Sequence, residues 1–159
     1  MKLFDYGPKL HVQIHVVEYK IIKTTLEPRS QRGTSWEVLG SENSKALEES
    51  INQWFLEYCS GREPSVTLPL DFSMFPPFTQ KIFTSLSLLT FGQTLSYQRL
   101  AALAGNPNAS RAAGNACGNN PTPLIIPCHR VLTSGSRLGG FSLGLELKKA
   151  LLCHENIVV

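Results

Sequence analysis

Acidic side chains are missing from a long part of this chain. No Asp or Glu occurs between Phe72 and Leu145. Residues 1–72 carry eight Lys/Arg against ten Asp/Glu, whereas residues 73–159 carry seven against two. The overall charge of +3 therefore hides a basic C-terminal half. An acid-free stretch with scattered arginines is what a surface facing phosphates needs. Charge alone does not separate that reading from chance in a Gly/Asn/Ser-rich segment. Other absences also narrow the field. No apolar run reaches the roughly 18 residues of a membrane span. The start, "MKLFDYGPKLHVQ", lacks the apolar stretch of a secretory signal. A soluble, cytoplasmic protein is the expectation. The four cysteines, Cys59, Cys117, Cys128 and Cys153, form no C-x-x-C. That pattern gives no support to a zinc knuckle, and reduced thiols are expected. With 42% hydrophobic and 17% charged residues, the 159-residue chain has the material for a real core.

The N-terminal part alternates. In "LHVQIHVV", residues 10–17, Leu10, Val12, Ile14 and Val16 share one face of a half-buried strand. On a strand, His11 and His15 lie about 13 Å apart, at roughly 3.3 Å per residue, too far to share a metal. "YKIIKTTLEP" and "TSWEVLG" read as further strands, with "PRSQRG" as a turn between them. Residues 44–60 have helical spacing at Leu47, Ile51, Trp54, Phe55 and Tyr58, and Gly61 ends the helix. Residues 61–77 hold four prolines and no period, and read as a linker.

Helical patterns dominate from residue 78 to about Cys117. Phe78, Ile82, Leu86 and Leu89 mark one face of a helix that stops before Gly92. In "SYQRLAALAG", Ser96 is a good N-cap, Leu100 and Leu103 face inward, and Gly105 terminates. In "NPNASRAAGNACGNN", Asn108 or Ser110 caps a short helix reaching about Cys117. Two short helices joined by a Gly/Asn/Pro turn are a helix-turn-helix candidate. Ala112, Ala113, Gly114 and Ala116 give the second helix little bulk, which suits close approach to another surface such as a DNA minor groove.

"NNPTPLIIPCHRV" is expected to be extended. Pro121, Pro123 and Pro127 exclude helix, and Leu124–Ile126 read as a buried strand delivering Cys128 and His129. Cys128 is then either a packing thiol or a nucleophile. Neighbours on a strand point to opposite sides, so His129 would act on the sulfur only through a relay such as water. A thiol with an ordinary pKa of about 8.5 is only a few per cent thiolate at neutral pH, so a nucleophile needs a base. Besides Glu146, the only carboxylate side chain after Asp71 is Glu155.

"PCHRV", with upstream "SYQRLA", "SRAAGNA" and "NPTP" and downstream "LLCHE", resembles the O6-alkylguanine-DNA alkyltransferases over about residues 73–159. The resemblance implies an α+β fold. Residues 1–72 would form a small α/β domain with an antiparallel sheet, plus linker. Residues 73–159 would form a mainly helical domain with a winged-helix-like helix-turn-helix. It implies a suicide repair protein, a monomer without cofactor, which binds duplex DNA and flips the damaged base. The zinc ligands of human-type members have no matching cluster in the N-terminal residues, so no metal is expected. The alkyl group moves from O6 of guanine, and from O4 of thymine, onto cysteine. Cys128 matches the alkyl acceptor, His129 the base working through water, and Glu155 the carboxylate orienting it. Tyr97 matches the residue that helps rotate the nucleotide and donates to guanine N3. Arg111 matches the arginine finger on the alanine-rich helix, where Ala112, Ala113 and Ala116 admit the groove. Asn120 matches the hinge asparagine. Val131, Ser142 and the Cys128 carbonyl match groups that read the base.

Three positions depart from the family pattern. Phe141 stands where tyrosine is common, Leu143 where many relatives have glycine, and Phe83 where tryptophan is usual. Leu143 is expected to narrow the pocket. Three other functions compete. A non-enzymatic alkyltransferase-like binder usually has tryptophan at the position of Cys128. A regulatory member carries an extra cysteine-rich metal domain, which has no counterpart in these residues. A cysteine hydrolase needs its histidine across a cleft, not adjacent.

Overall fold

The computed structural model describes residues 2–4, 7–40, 44–135 and 137–159. They fall into two compact units, Met1–Asp71 and Phe72–Val159.

The first unit is a four-stranded sheet and one helix. The strands are β1 (Lys2–Phe4), β2 (Leu10–Val17), β3 (Lys20–Pro28) and β4 (Thr34–Leu39), in spatial order β1-β4-β2-β3. The alternation seen in the sequence is kept, since Leu10, Val12, Ile14 and Val16 are all buried. β2 and β3 form a hairpin whose two loop residues, Glu18 and Tyr19, both have positive φ (48° and 60°). That conformation matches the twist of the strands it joins.

The sheet is mixed, not antiparallel as expected. β2 pairs with β4 in parallel, from Leu10↔Thr34 to His15↔Leu39. Leu10 is flanked by Pro28 on one side and Thr34 on the other. Residues 29–33 therefore pass around the end of β2 and do not close a hairpin. Local periodicity identifies a strand but not its neighbour.

Helix α1 (Lys45–Cys59) is capped by Ser44, whose hydroxyl accepts from the Leu47 amide at 3.1 Å. Its buried stripe meets the sheet through Trp36 stacked on Phe55, with ring centroids 5.0 Å apart.

The second unit contains α2 (Pro77–Ser87), β5 (Leu95–Ser96), α3 (Tyr97–Leu103), α4 (Ser110–Gly118), a 3₁₀ turn (Cys128–Arg130), β6 (Val131–Leu132) and α5 (Leu145–His154). Pro77 starts α2, where its missing N–H costs nothing. Ile82, Phe83, Leu86, Leu100, Ala101, Val131, Leu151 and Leu152 are fully buried and supply its core. β5 and β6 pair in parallel, Leu95↔Val131 and Ser96↔Leu132. This short ladder ties the start of α3 to the chain just after the Cys128 turn.

Several expectations change here. Leu124 and Ile126 are buried, but the run Leu124–Ile126 forms a turn, with Leu124 at φ 78° and the Ile126 amide bonded to Thr122 O at 2.9 Å. Cys128 opens a 3₁₀ turn and does not end a strand. Leu103 is 51% exposed, and Ala101 and Ala104 face inward in its place. Neither Asn108 nor Ser110 caps α4, which begins after Ala109 without a side-chain cap. α2 ends at Ser87, so Leu89 is buried from the loop beyond it.

Candidate active site

Cys128 lines a cavity of about 670 Å³ in the second unit. Tyr97 from α3, Arg111, Gly114, Asn115 and Cys117 from α4, and Phe141 and Ser142 from the loop before α5 line it too. The Cys128 side chain is held from one side by Asn120. The Asn120 amide donates to Cys128 Sγ at 3.1 Å and to Ile126 O at 2.8 Å, while its oxygen accepts from the Thr122 amide at 3.0 Å. One side chain thus fixes both the turn and the thiol it carries.

Behind the cysteine lies a fully buried ion-pair cluster. His129 Nε2 donates to Glu155 Oε1 at 2.7 Å. Arg130 Nε donates to Glu155 Oε2 at 2.7 Å, its Nη2 to Oε1 at 3.1 Å, and its Nη1 to Leu89 O. This fork-like pairing satisfies the charge of Arg130, a residue only 4% exposed. Burial would raise the Glu155 carboxyl, but the hydrogen bonds and charges of His129 and Arg130 outweigh it and hold it at about 2. Burial pulls the His129 imidazole below the usual range despite Glu155. With Nε2–H committed to the carboxylate, the neutral ring keeps a lone pair on Nδ1. That atom is buried and has no hydrogen-bond partner among the described residues.

Burial pushes the Cys128 thiol up, while the Asn120 donor and the charge of Lys148 oppose it. Lys148 is fully buried on α5 and donates to Val131 O at 2.6 Å and Gly140 O at 3.3 Å. Tyr97 Oη donates to the same Gly140 O at 3.3 Å. The two donors fix the loop that carries Phe141 and Ser142. Burial, then Cys117 and Cys128, push the Tyr97 phenol up to about 12, so it stays a donor through the physiological range.

The chemistry available is therefore narrow. A thiol faces a cavity, a neutral buried base stands behind it, and a phenol donor lines the wall. Such a set can deprotonate sulfur and meet the charge developing on a leaving group.

The DNA-binding-domain profile of 6-O-methylguanine DNA methyltransferase matches residues 77–157. The Cricetulus griseus methylated-DNA–protein-cysteine methyltransferase is 40% identical over 156 residues, covering 91% of this chain and 73% of that protein. The human protein of the same description is 44% identical over 108 residues, about half (52%) of its length.

This chain belongs to the methylated-DNA–protein-cysteine methyltransferase family.

The fold agrees with solved members. The Mycobacterium tuberculosis OGT crystallised with DNA has a TM-score of 0.69 at 24% identity, covering 92% of this chain and 93% of that one. The O6-methylguanine methyltransferase of the same organism gives 0.64 at 26% identity, covering 92% of each chain.

Within this methyltransferase fold, the structure brings Cys128, Tyr97, Arg111 and Ser142 to one cavity. His129 and Glu155 stand behind it, and Val131 is buried. Ala113 and Ala116 need correction. They are 0% and 4% exposed and pack inward, so their small size serves close helix packing, not a groove. The outward face of α4 carries Arg111, Ala112 and Asn115. Leu143 is 37% exposed and does not line the cavity, so it does not narrow it.

Sequence reasoning passed over Arg130 and Lys148. Lys148 left a trace, because it interrupts the apolar stripe formed by Leu147, Leu151 and Leu152. A cation at such a position needs buried acceptors, here two backbone carbonyls.

Proposed function

We infer that this chain repairs DNA by direct reversal, moving an alkyl group from O6 of guanine to Cys128. The observation that carries the reading is the Asn120-held thiol facing a cavity with the His129–Glu155 pair behind it. His129 Nδ1 accepts the thiol proton through a water, which also meets the hydrogen-bonding need of that buried nitrogen. Glu155 orients the ring and stabilises the imidazolium. Sulfur then attacks the alkyl carbon, the C–O6 bond breaks, and Tyr97 donates toward guanine N3 as charge builds on the ring. The thioether has no route back, so each molecule acts once.

Duplex DNA is engaged by α3 and α4 as a winged-helix-like helix-turn-helix. The first turn of α4 has no acidic residue and no side-chain cap, leaving its amides for a phosphate. Arg111, exposed at the cavity rim, fills the gap left by the flipped nucleotide, and Ala112 passes along the groove. Extrusion costs a few kcal/mol, least for a weakened pair. Ser142, Val131 and the Cys128 carbonyl read the base, and O4-alkylthymine is a second substrate. Stoichiometry tests the reading. With O6-methylguanine duplex in excess, repaired sites should equal protein molecules and then stop. Continued turnover, or tight binding without repair, would overturn it.

A further inference from the structure

The proposed transfer uses one thiol of the cavity, but a second one lines it. Cys117, near the end of α4, is 7% exposed, and Cys128 is 4% exposed. Both contribute to the wall of the same cavity. Asn120 bridges the two segments. Its backbone amide donates to Cys117 O at 3.3 Å and its side chain to Cys128 Sγ at 3.1 Å. Both thiols are free, and the other two cysteines, Cys59 and Cys153, are not part of this wall.

We propose that Cys117 is a resolving thiol, which captures a peroxide-oxidised Cys128 as an intramolecular disulfide and makes oxidative loss of the acceptor reversible.

The reaction balances with a hydroperoxide as oxidant. The Cys128 thiolate attacks one peroxide oxygen, the O–O bond breaks, and sulfur becomes a sulfenic acid while the peroxide is reduced to water or alcohol. Cys117 sulfur then attacks the sulfenic sulfur. An S–S bond forms, the S–O bond breaks, and the departing hydroxide takes the Cys117 proton as water. Two thiols and one hydroperoxide give a disulfide, a water and the reduced peroxide.

Burial holds Cys117 protonated throughout, and the charge on Cys128 adds to it in a way that favours this order of the two steps. Burial, then the charge on Cys128, push the Cys117 thiol up to about 12, whereas Lys148 acts in the opposite direction. While Cys128 is a thiolate, Cys117 therefore stays protonated. Once Cys128 is a neutral sulfenic acid its repulsion is gone and the pull of Lys148 remains. The second thiol becomes easier to deprotonate only after the first has reacted. A sulfenic acid without a neighbouring thiol goes on to the irreversible sulfinic acid.

The assignment rests on Cys128 being the reactive thiol, which the proposed function also requires. The peptide-mapping arm reads thiol chemistry without DNA, so it can succeed or fail whether or not the chain transfers alkyl groups. The full-length reduced protein is exposed to hydrogen peroxide, then blocked with iodoacetamide, digested and mapped. Expected is a Cys117–Cys128 cross-linked peptide that dithiothreitol removes. Each protein's alkyl-transfer activity is measured against its own untreated sample. Wild type should recover nearly fully with dithiothreitol, and Cys117→Ala should accumulate Cys128 sulfinic acid and recover several-fold less. Cys117→Ser, closer in shape, should behave like Cys117→Ala. A cross-link to Cys59 or Cys153, no cross-link, or equal recovery in wild type and both variants would overturn the proposal.

Discussion

Replacing Glu155 by Gln should destabilise the second unit by about 3–5 kcal/mol at neutral pH. Glutamine keeps the size of the side chain but offers one oxygen where the carboxylate offers two. Its NH₂ would face donors from Arg130 or His129, and the 4%-exposed guanidinium would lose its counter-charge. Removing one partner of a buried ion pair costs about 3–5 kcal/mol. Titration leads to a similar figure. Glu155 is lowered from 4.5 to about 2, which corresponds to about 3 kcal/mol at about 1.4 kcal/mol per unit. The folded pKa is the depressed one, so this stability is present above about pH 4.5 and fades as pH falls toward 2. By pH 3 the wild type should have lost about 2 kcal/mol of it, and the variant has none to lose. The gap between them should therefore narrow on acidification. Urea melts at pH 7 and pH 3 followed by far-UV circular dichroism provide the comparison. Fluorescence would report the wrong unit, because Trp36 and Trp54 both lie in the first. A gap below about 1 kcal/mol at pH 7, or one that does not shrink at pH 3, would refute the reasoning.

Other perturbations separate the roles assigned around the cavity. Tyr97→Phe should slow transfer by about 10–100-fold with little change in DNA affinity, because one donor to the leaving base is lost; wild-type single-turnover rates would remove that role. Arg111→Ala should slow repair in duplex DNA while leaving reaction with free O6-benzylguanine unchanged, since the side chain is exposed at the rim; equal losses on both would contradict a finger. Leu143→Gly should leave the rate of benzylguanine inactivation within about twofold, whereas Phe141→Ala, which removes part of the wall, should change it; the reverse pattern would restore Leu143 to the pocket.

Local signals carried well from sequence to structure. The alternation of Leu10–Val16, the Ser96 cap and the apolar stripe of α1 all reappear, because each depends on neighbours within a turn or along one strand. What failed depended on distant partners. The parallel β2–β4 pairing is decided by how residues 29–33 pass around Leu10, which no periodicity encodes. The apolar run Leu124–Ile126 forms a turn with Leu124 and Ile126 buried, because Leu124 adopts a positive φ that branching and hydropathy do not announce. Ala113 and Ala116 illustrate a limit of composition. Small residues suit either a groove or a tight helix contact, and only packing tells which. Arg130 and Lys148 were missed for another reason. Charged side chains are seldom buried, and the acceptors that permit it here come from Glu155, Leu89, Val131 and Gly140, far apart in the chain.

Peptide mass mapping after reaction with a duplex containing one O6-methylguanine tests the central claim most directly. One added methyl group is predicted, confined to the Cys128 peptide, in step with the appearance of unmodified guanine. Cys128→Ala should bind the duplex and remain unmodified. A methyl group on Cys117, Cys59 or Cys153, or repair by Cys128→Ala, would contradict it.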